Sequence, residues 1–337
     1  MKKIAFVFAA FISVFVYHIG HARILTVSNT PGQAAMYTVV QTAIDNAEVG
    51  DTVFVHASAT AYADVTIKKR IVLLGEGGKP DWSGLKSYFG TITIDSIVQV
   101  PGANNIPVSG TVINGILCEG YFYINSNIHG ILVKNCYVAY GVNFTGWGHI
   151  VYNNYFNYYI QGGTNIIFIG NYVGKSSYSI NNAINWTISN NIFAGPISAT
   201  SSTITNNIFL GANAIYSTNI SNSFSKNLQV GTDLPIGNYV GQSLFGTFSE
   251  TVSASMSAVD VVTKKFTFKA GSPAIAGGTD GKDVGVHGGL YPWPAGTFLN
   301  GDPGLPKVQS IEVQNAVLAP GAILKVNLKA KSASTKQ

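Results

Sequence analysis

The phrase Asn190-Asn191-Ile192-Phe193 returns sixteen residues later as Asn206-Asn207-Ile208-Phe209. Working outward, the same pattern stands at Asn114-Gly115-Ile116-Leu117, Asn135-Cys136-Tyr137-Val138, Asn153-Asn154-Tyr155-Phe156, Gly170-Asn171-Tyr172-Val173 and Lys226-Asn227-Leu228-Gln229. With the second residue of each phrase as the mark, the marks fall at 115, 136, 154, 171, 191, 207 and 227, so the spacings are 21, 18, 17, 20, 16 and 20. A repeat near twenty residues, made of β-branched and aromatic runs with no helical period, signals a solenoid of stacked coils. Seven coils, each rising about 4.8 Å, predict a rod on the order of 30 Å long.

The asparagines have a physical reason to recur. An inward Asn at a coil corner can donate its amide to one coil's carbonyl and accept from the next coil. Buried polar groups must be paired, and identical neighbours above and below pair them repeatedly. The expected ladder is Gly115, Cys136, Asn154, Asn171, Asn191, Asn207 and Asn227, the first two fitting an inward corner as a small and a readily buried residue.

Four segments are expected: a leader over residues 1–22, an N-terminal cap over 23–50, the solenoid over 51–294 and an extension over 295–337. Lys2 and Lys3 before the apolar run Ile4–Val16, then Gly20-His21-Ala22, read as a secretory leader cleaved after Ala22. Arg23–Val27 reads as a strand, and Gln33–Ala47 has helix spacing with Gly50 as a stop. Strands are expected at Thr52–Val55, Val65–Ile67 and Ile71–Leu74, with the central stack running from Thr91 to Val230. Phe266–Lys269 reads as a last strand, and the Gly-rich stretch from Ala270 to Pro294 as a loop closing the rod's C-terminal end. Val308–Val313 and Ile323–Leu328 alternate as a hairpin, and the last residues from Lys329 read as frayed.

Without Lys2 and Lys3 the chain carries 18 basic and 15 acidic residues, a net charge of +3, too mild to call for nucleic acid. Only 10% of residues are charged, so the surface suits neutral ligands such as glycans. Cys118 and Cys136 are expected as two buried thiols rather than a disulfide, because their offsets from the marks differ.

The Asn-Asn-Ile-Phe phrases, Gly50-Asp51-Thr52-Val53-Phe54-Val55 and Ile71-Val72-Leu73-Leu74-Gly75-Glu76-Gly77 resemble secreted right-handed parallel β-helix proteins of the pectate-lyase-like superfamily. Gly271-Ser272-Pro273-Ala274-Ile275 with Asp283-Val284-Gly285 resembles a closing motif of many such bacterial proteins. The resemblance covers about Arg23 to Pro294 and implies an all-β right-handed parallel β-helix, extracellular or on a bacterial cell surface. It leaves activity open, since that superfamily holds lyases, hydrolases, epimerases, adhesins and non-catalytic coils.

Chemistry is sparse. A glycosidase needs two carboxylates on one face. Between Ser96 and Thr232 the acidic residue is Glu119, which only Asp64, Asp81 or Asp95 from earlier coils could join. The calcium-dependent lyases imply an Asp cluster and an Arg or Lys base, and no counterparts stand here, so Ca²⁺ enters only if the chain is a lyase. Lys134, Glu119, His129 and His149 are the remaining catalytic candidates, with Glu119–Lys134 expected as a solvated ion pair. His56 and His287 read as isolated, and no metal site or other cofactor is expected.

Tyrosines crowd five successive coils, and Tyr137, Tyr155 and Tyr172 share one phrase position and should stack. Alternation puts Tyr140, Trp147, Tyr158 and Tyr159 outside, where aromatic faces beside amides can stack on sugar rings. The favoured reading is a non-catalytic glycan-binding or surface scaffold. Its rivals are a polysaccharide lyase or other carbohydrate-active enzyme, and a structural rod whose partner is another protein, such as a surface protein.

Overall fold

Leu132–Lys134, Tyr137–Val138 and Val142–Phe144 make one complete coil, and Ile150 begins the next. Each strand pairs in parallel with its counterpart one coil earlier and one coil later. Among the described residues the result is a parallel β-solenoid with sheets of ten, eight and seven strands. The structure, a computed structural model, describes residues 22–77, 86–95, 108–174, 177–216, 220–293, 307–313 and 326–331. The expected leader lies outside these residues, Ala22 excepted.

Side-chain direction follows from strand period. In the first sheet the middle residue of each triplet points inward, giving a column that includes Val133, Val151, Phe168, Ile188 and Ile204. In the third sheet the first and third residues point inward, as Phe122 and Ile124 do. In the second sheet the second residue packs inside, while the first joins a separate apolar cluster outside the coil. Ten strands in the first sheet make nine steps, or ~43 Å at about 4.8 Å each, longer than the sequence expectation. The stack is longer because three strands ahead of the seven phrases, Ile24–Val27, Thr52–Val55 and Val72–Gly75, pair in the same sheet, and the first of them lies inside the expected cap, before the expected solenoid start at 51.

The ladder is present. Asn154, Asn171, Asn191, Asn207 and Asn227 are all fully buried. Asn171 Nδ2 donates to the Val151 carbonyl one coil earlier (3.0 Å), and Asn171 Oδ1 accepts from the backbone N–H of Asn154 (2.9 Å). Asn191, Asn207 and Asn227 repeat this bonding on the next coils. Cys136 donates its backbone N–H to Asn154 Oδ1 (2.9 Å) and heads the row.

Gly115 is corrected. Lys134 pairs with Asn114 and Tyr137 with Leu117, so Gly115 aligns with Asn135, and Ile116 with Cys136. The inward place in that coil belongs to buried Ile116. Gly115 sits at the left-handed position (φ 68°), as do Asn135, Asn153, Gly170, Asn190, Asn206 and Lys226 at φ values of 54–64°. This turn requires positive φ, which explains Asn or Gly before nearly every ladder residue.

The row also extends past Asn227. Asn227 donates its backbone N–H to Asn238 Oδ1 (2.9 Å) and its Nδ2 to the same atom (2.8 Å). Gly237-Asn238-Tyr239-Val240 repeats the phrase Gly170-Asn171-Tyr172-Val173, but its spacing of 11 from Asn227 breaks the period.

A second row, buried at His149 and Ser202 and half-buried at Asn222, lies where the third sheet turns into the first. His149 Nδ1 accepts from Ile131 N–H (3.2 Å), Ser202 Oγ from Trp186 N–H (2.9 Å) and Asn222 Oδ1 from Ser202 N–H (2.9 Å). Different residue types do the same work, so no repeat in the sequence announced it.

The N-terminal helix is shorter than its periodicity suggests. It spans Val40–Asn46 and buries Val40, Ala43 and Ile44. Residues 33–38 are not helical, and Tyr37 instead exchanges backbone hydrogen bonds with Thr26 and Ser28 (both 3.0 Å) beside the first strand. That strand's free edge is thereby paired, which outweighs helical continuation.

The Gly-rich C-terminal stretch does not close the rod's end. It runs back along the second sheet. Gly285 N–H donates to the Asn206 carbonyl (2.7 Å), and Trp293 Nε1 to the Gly170 carbonyl (2.5 Å). Tyr291 stacks on Tyr152 with centroids 4.1 Å apart. Phe248, Val261, Phe266, Val284, Val286 and Trp293 bury the outward row Tyr137, Tyr155, Tyr172, Ile192, Ile208 and Leu228. The last strand expected at Phe266–Lys269 is a single bridge between Phe248 and Phe268. Lys307–Val313 and Val326–Lys331 pair antiparallel as the expected hairpin, and the second strand takes in Lys329 to Lys331.

Candidate ligand-binding site

The turn between the second and third sheets places tyrosines on the outside of consecutive coils. Val138 pairs with Phe156 and Val142 with Ile160, so Tyr140 aligns with Tyr158, and Gly141 with Tyr159. Tyr140 and Tyr158 are 55% and 46% exposed, while Tyr159 is half-buried. A Cβ on Gly141 would stand 2.9 Å from the Tyr159 Cζ, so the ring lies against bare backbone there. The absence of a side chain at Gly141 lets that ring lean towards the preceding coil.

Two tyrosines that alternation did not single out complete the group. Tyr121 stacks on Tyr123 (5.4 Å, 17°) and meets Tyr140 (5.7 Å). Burial, with Tyr121, Tyr123 and Tyr158 close by, raises the Tyr159 phenol pKa. Tyr178 takes the place of Tyr158 one coil on and meets Tyr216 edge-on (4.4 Å). The strip therefore follows the rod axis over several coils. It is bordered by the third sheet's outward column, which includes Thr93, Tyr123, Asn143, Gln161 and Asn181. The count from phrase end to tyrosine is two residues for both Tyr140 and Tyr158 but four for Tyr121 and five for Tyr178, so the sequence pattern reaches only part of the strip.

Trp147 is on the other side of the third sheet. It is 41% exposed, stacks on His129 (5.0 Å, 19°) and bridges the coils of His129 and Thr164. The structure thus groups Tyr140, Tyr158 and Tyr159 and sets Trp147 apart.

The catalytic candidates do not converge. Lys134 ends a first-sheet strand, with its Nζ 5.9 Å from the Tyr152 ring centroid. Glu119 follows a second-sheet strand and lies near the Tyr137 phenol, whose pKa is raised by burial first and by Glu119 second. A sheet corner separates the two, and the expected Glu119–Lys134 ion pair does not form. Among the described residues the ion pairs are Arg23–Glu48, Arg23–Asp51 and His56–Glu76, so His56 is not isolated. His287 Nε2 meets the Lys265 carbonyl (2.6 Å). Asp64 Oδ1 accepts from Thr91 N–H (2.6 Å) as a turn cap, and Asp81 lies outside the described residues.

His129 bonds Ser109 Oγ (3.1 Å), whereas His149 is fully buried inside the coil. Burial lowers the His149 pKa to about 4, against a smaller opposing contribution from the Thr145 backbone. Cys118 and Cys136 are buried free thiols, each pushed up to about 12 by burial. No group of three His, Cys, Asp or Glu able to hold a metal occurs among the described residues, and no helix there is long and apolar enough to cross a membrane.

No protein-family model matches the chain, and no curated protein or solved structure matches it significantly.

Proposed function

We propose that the chain is a secreted, non-catalytic solenoid of the pectate-lyase-like kind that binds neutral glycans along its tyrosine strip. The observation that carries this reading is the contiguous group Tyr121, Tyr123, Tyr140, Tyr158 and Tyr159 on one outer corner. Aromatic faces stack on the apolar faces of sugar rings, and nearby amides pair their hydroxyls. The bordering side chains Asn143, Gln161 and Asn181 are neutral amides, which favours neutral sugars over uronates. The strip's direction favours an extended oligosaccharide lying parallel to the rod.

The test is binding to an array of neutral and uronate-containing glycans. Neutral glycans should be retained, and Tyr140→Ala or Tyr158→Ala should weaken binding roughly tenfold, about 1.4 kcal/mol for one lost stacking face. Trp147→Ala should leave binding nearly unchanged. No retained glycan, or retention indifferent to both tyrosines, would sink the proposal. Release of unsaturated product from a uronate polymer, with or without Ca²⁺, would favour the lyase reading instead.

A further inference from the structure

We infer that cleavage after Ala22 gives Arg23 an α-ammonium that pairs with the buried carboxylate of Asp51, so that removing the leader itself locks the N-terminal end of the solenoid. The inference rests on reading residues 1–22 as a leader. Its geometric basis is independent of that reading. The backbone nitrogen of Arg23 lies 2.8 Å from Asp51 Oδ1. The other oxygen, Oδ2, accepts from Arg23 Nε (3.0 Å), Arg23 Nη2 (2.8 Å) and the backbone N–H of Glu48 (2.8 Å). One carboxylate therefore ties the first residue after the leader to the end of the helix.

Asp51 is 2% exposed, yet it stays ionised. Burial works against its charge, but hydrogen bonds from the Arg23 side chain and from the Glu48 and Arg23 backbones outweigh it and hold its pKa below the ordinary carboxylate value. Ala22 and Arg23 are both exposed, so the bond between them is open to a peptidase. Before cleavage the Arg23 nitrogen is a neutral amide. Hydrolysis of that amide adds water, leaves a carboxylate on Ala22, and leaves an amine on Arg23 that takes up a proton. A bond from a neutral donor to the Asp51 carboxylate, 2.8 Å long, thereby becomes a bond between opposite charges.

The pH dependence has a definite sign. Asp51 favours the protonated amine and raises its folded pKa, so the gain is fully present below the ordinary α-amino value of about 8. It fades as pH rises through the folded value. The other groups facing this nitrogen are the Arg23 guanidinium, which opposes the shift, and Glu48 and Tyr37, which lie close to that guanidinium. Lys69 Nζ is held by the Asp45 and Ala47 carbonyls at the same helix end.

The experiment compares the chain beginning at a free Arg23 with the same chain acetylated at that amine, melted between pH 6 and pH 10. The free chain should melt roughly 2–4 °C higher at the acid end, and the gap should close at the alkaline end. Asp51→Asn should abolish the gap. Should that variant fail to fold, the acetylation rate of Arg23 provides the check, since it should be at least about tenfold slower in the folded chain than in urea. Equal melting of the two chains at every pH, or equal acetylation rates, would overturn the pairing. N-terminal sequencing of the exported protein tests the processing step separately, and a first residue other than Arg23 would overturn that step alone.

Discussion

Asn191 shows how one side chain holds two coil boundaries. Its Oδ1 accepts from the backbone N–H and Nδ2 of Asn171 (2.8 and 3.1 Å), while its Nδ2 reaches the Phe168 carbonyl and Asn207 Oδ1 (both 2.9 Å). Asn191→Ala would strand these partners in a fully buried site. The expected loss is roughly 3–5 kcal/mol, read from urea denaturation. His149 makes a different prediction from the second row. Its folded pKa of about 4 lies below the ordinary histidine value, so the unfolded chain takes up a proton first as pH falls. The stability this neutral ring contributes is complete above about pH 6.5 and is lost as pH drops towards the folded value, by roughly 3 kcal/mol. His149→Asn keeps an acceptor for the Ile131 N–H, as Asn222 serves Ser202, and should flatten the denaturation midpoint over that window. An unchanged slope would show that other groups set the acid sensitivity. The ladder was legible because one residue type repeats. The second row was hidden because His149, Ser202 and Asn222 share a role but no side-chain shape.

At the scale of elements, the back-folded segment from Leu244 to Trp293 settles the fate of the tyrosine column. Tyr137, Tyr155 and Tyr172 stack at 4.9 and 5.0 Å, as their shared phrase position implies. They face outward from the coil, yet the segment covers them. Their phenols are all raised by burial. Trp293 anchors the segment against Phe266 and Gly170, and Trp293→Ala should cost roughly 3–5 kcal/mol. Limited proteolysis should then nick the segment before the coils, with a rise in binding of a hydrophobic dye. Equal protease resistance of variant and parent would show that the column does not depend on this anchor. Alternation along a strand states which residues leave the coil. It cannot state what comes back to cover them, and this is why Tyr137 and Tyr140 have opposite environments three residues apart.

Across the whole molecule, the sheets bring together residues that recur once per coil. Tyr140 and Tyr158 meet for this reason, and so do the members of the asparagine row. Glu119 and Lys134 are near in sequence but fall on opposite sides of a sheet corner, which removes the ion pair that proximity suggested. The sequence by itself determined the coil, the corner and the inward asparagines, because each depends on a pattern local to about twenty residues. Only the tertiary structure decided the rest. It moved the inward place from Gly115 to Ile116, added Asn238 to the row, ran the C-terminal segment back over the second sheet and left the tyrosine strip uncovered. Those outcomes depend on registers and contacts between coils and on chain returning from up to 123 residues away, as Trp293 returns to Gly170, and a twenty-residue pattern carries no record of such distances.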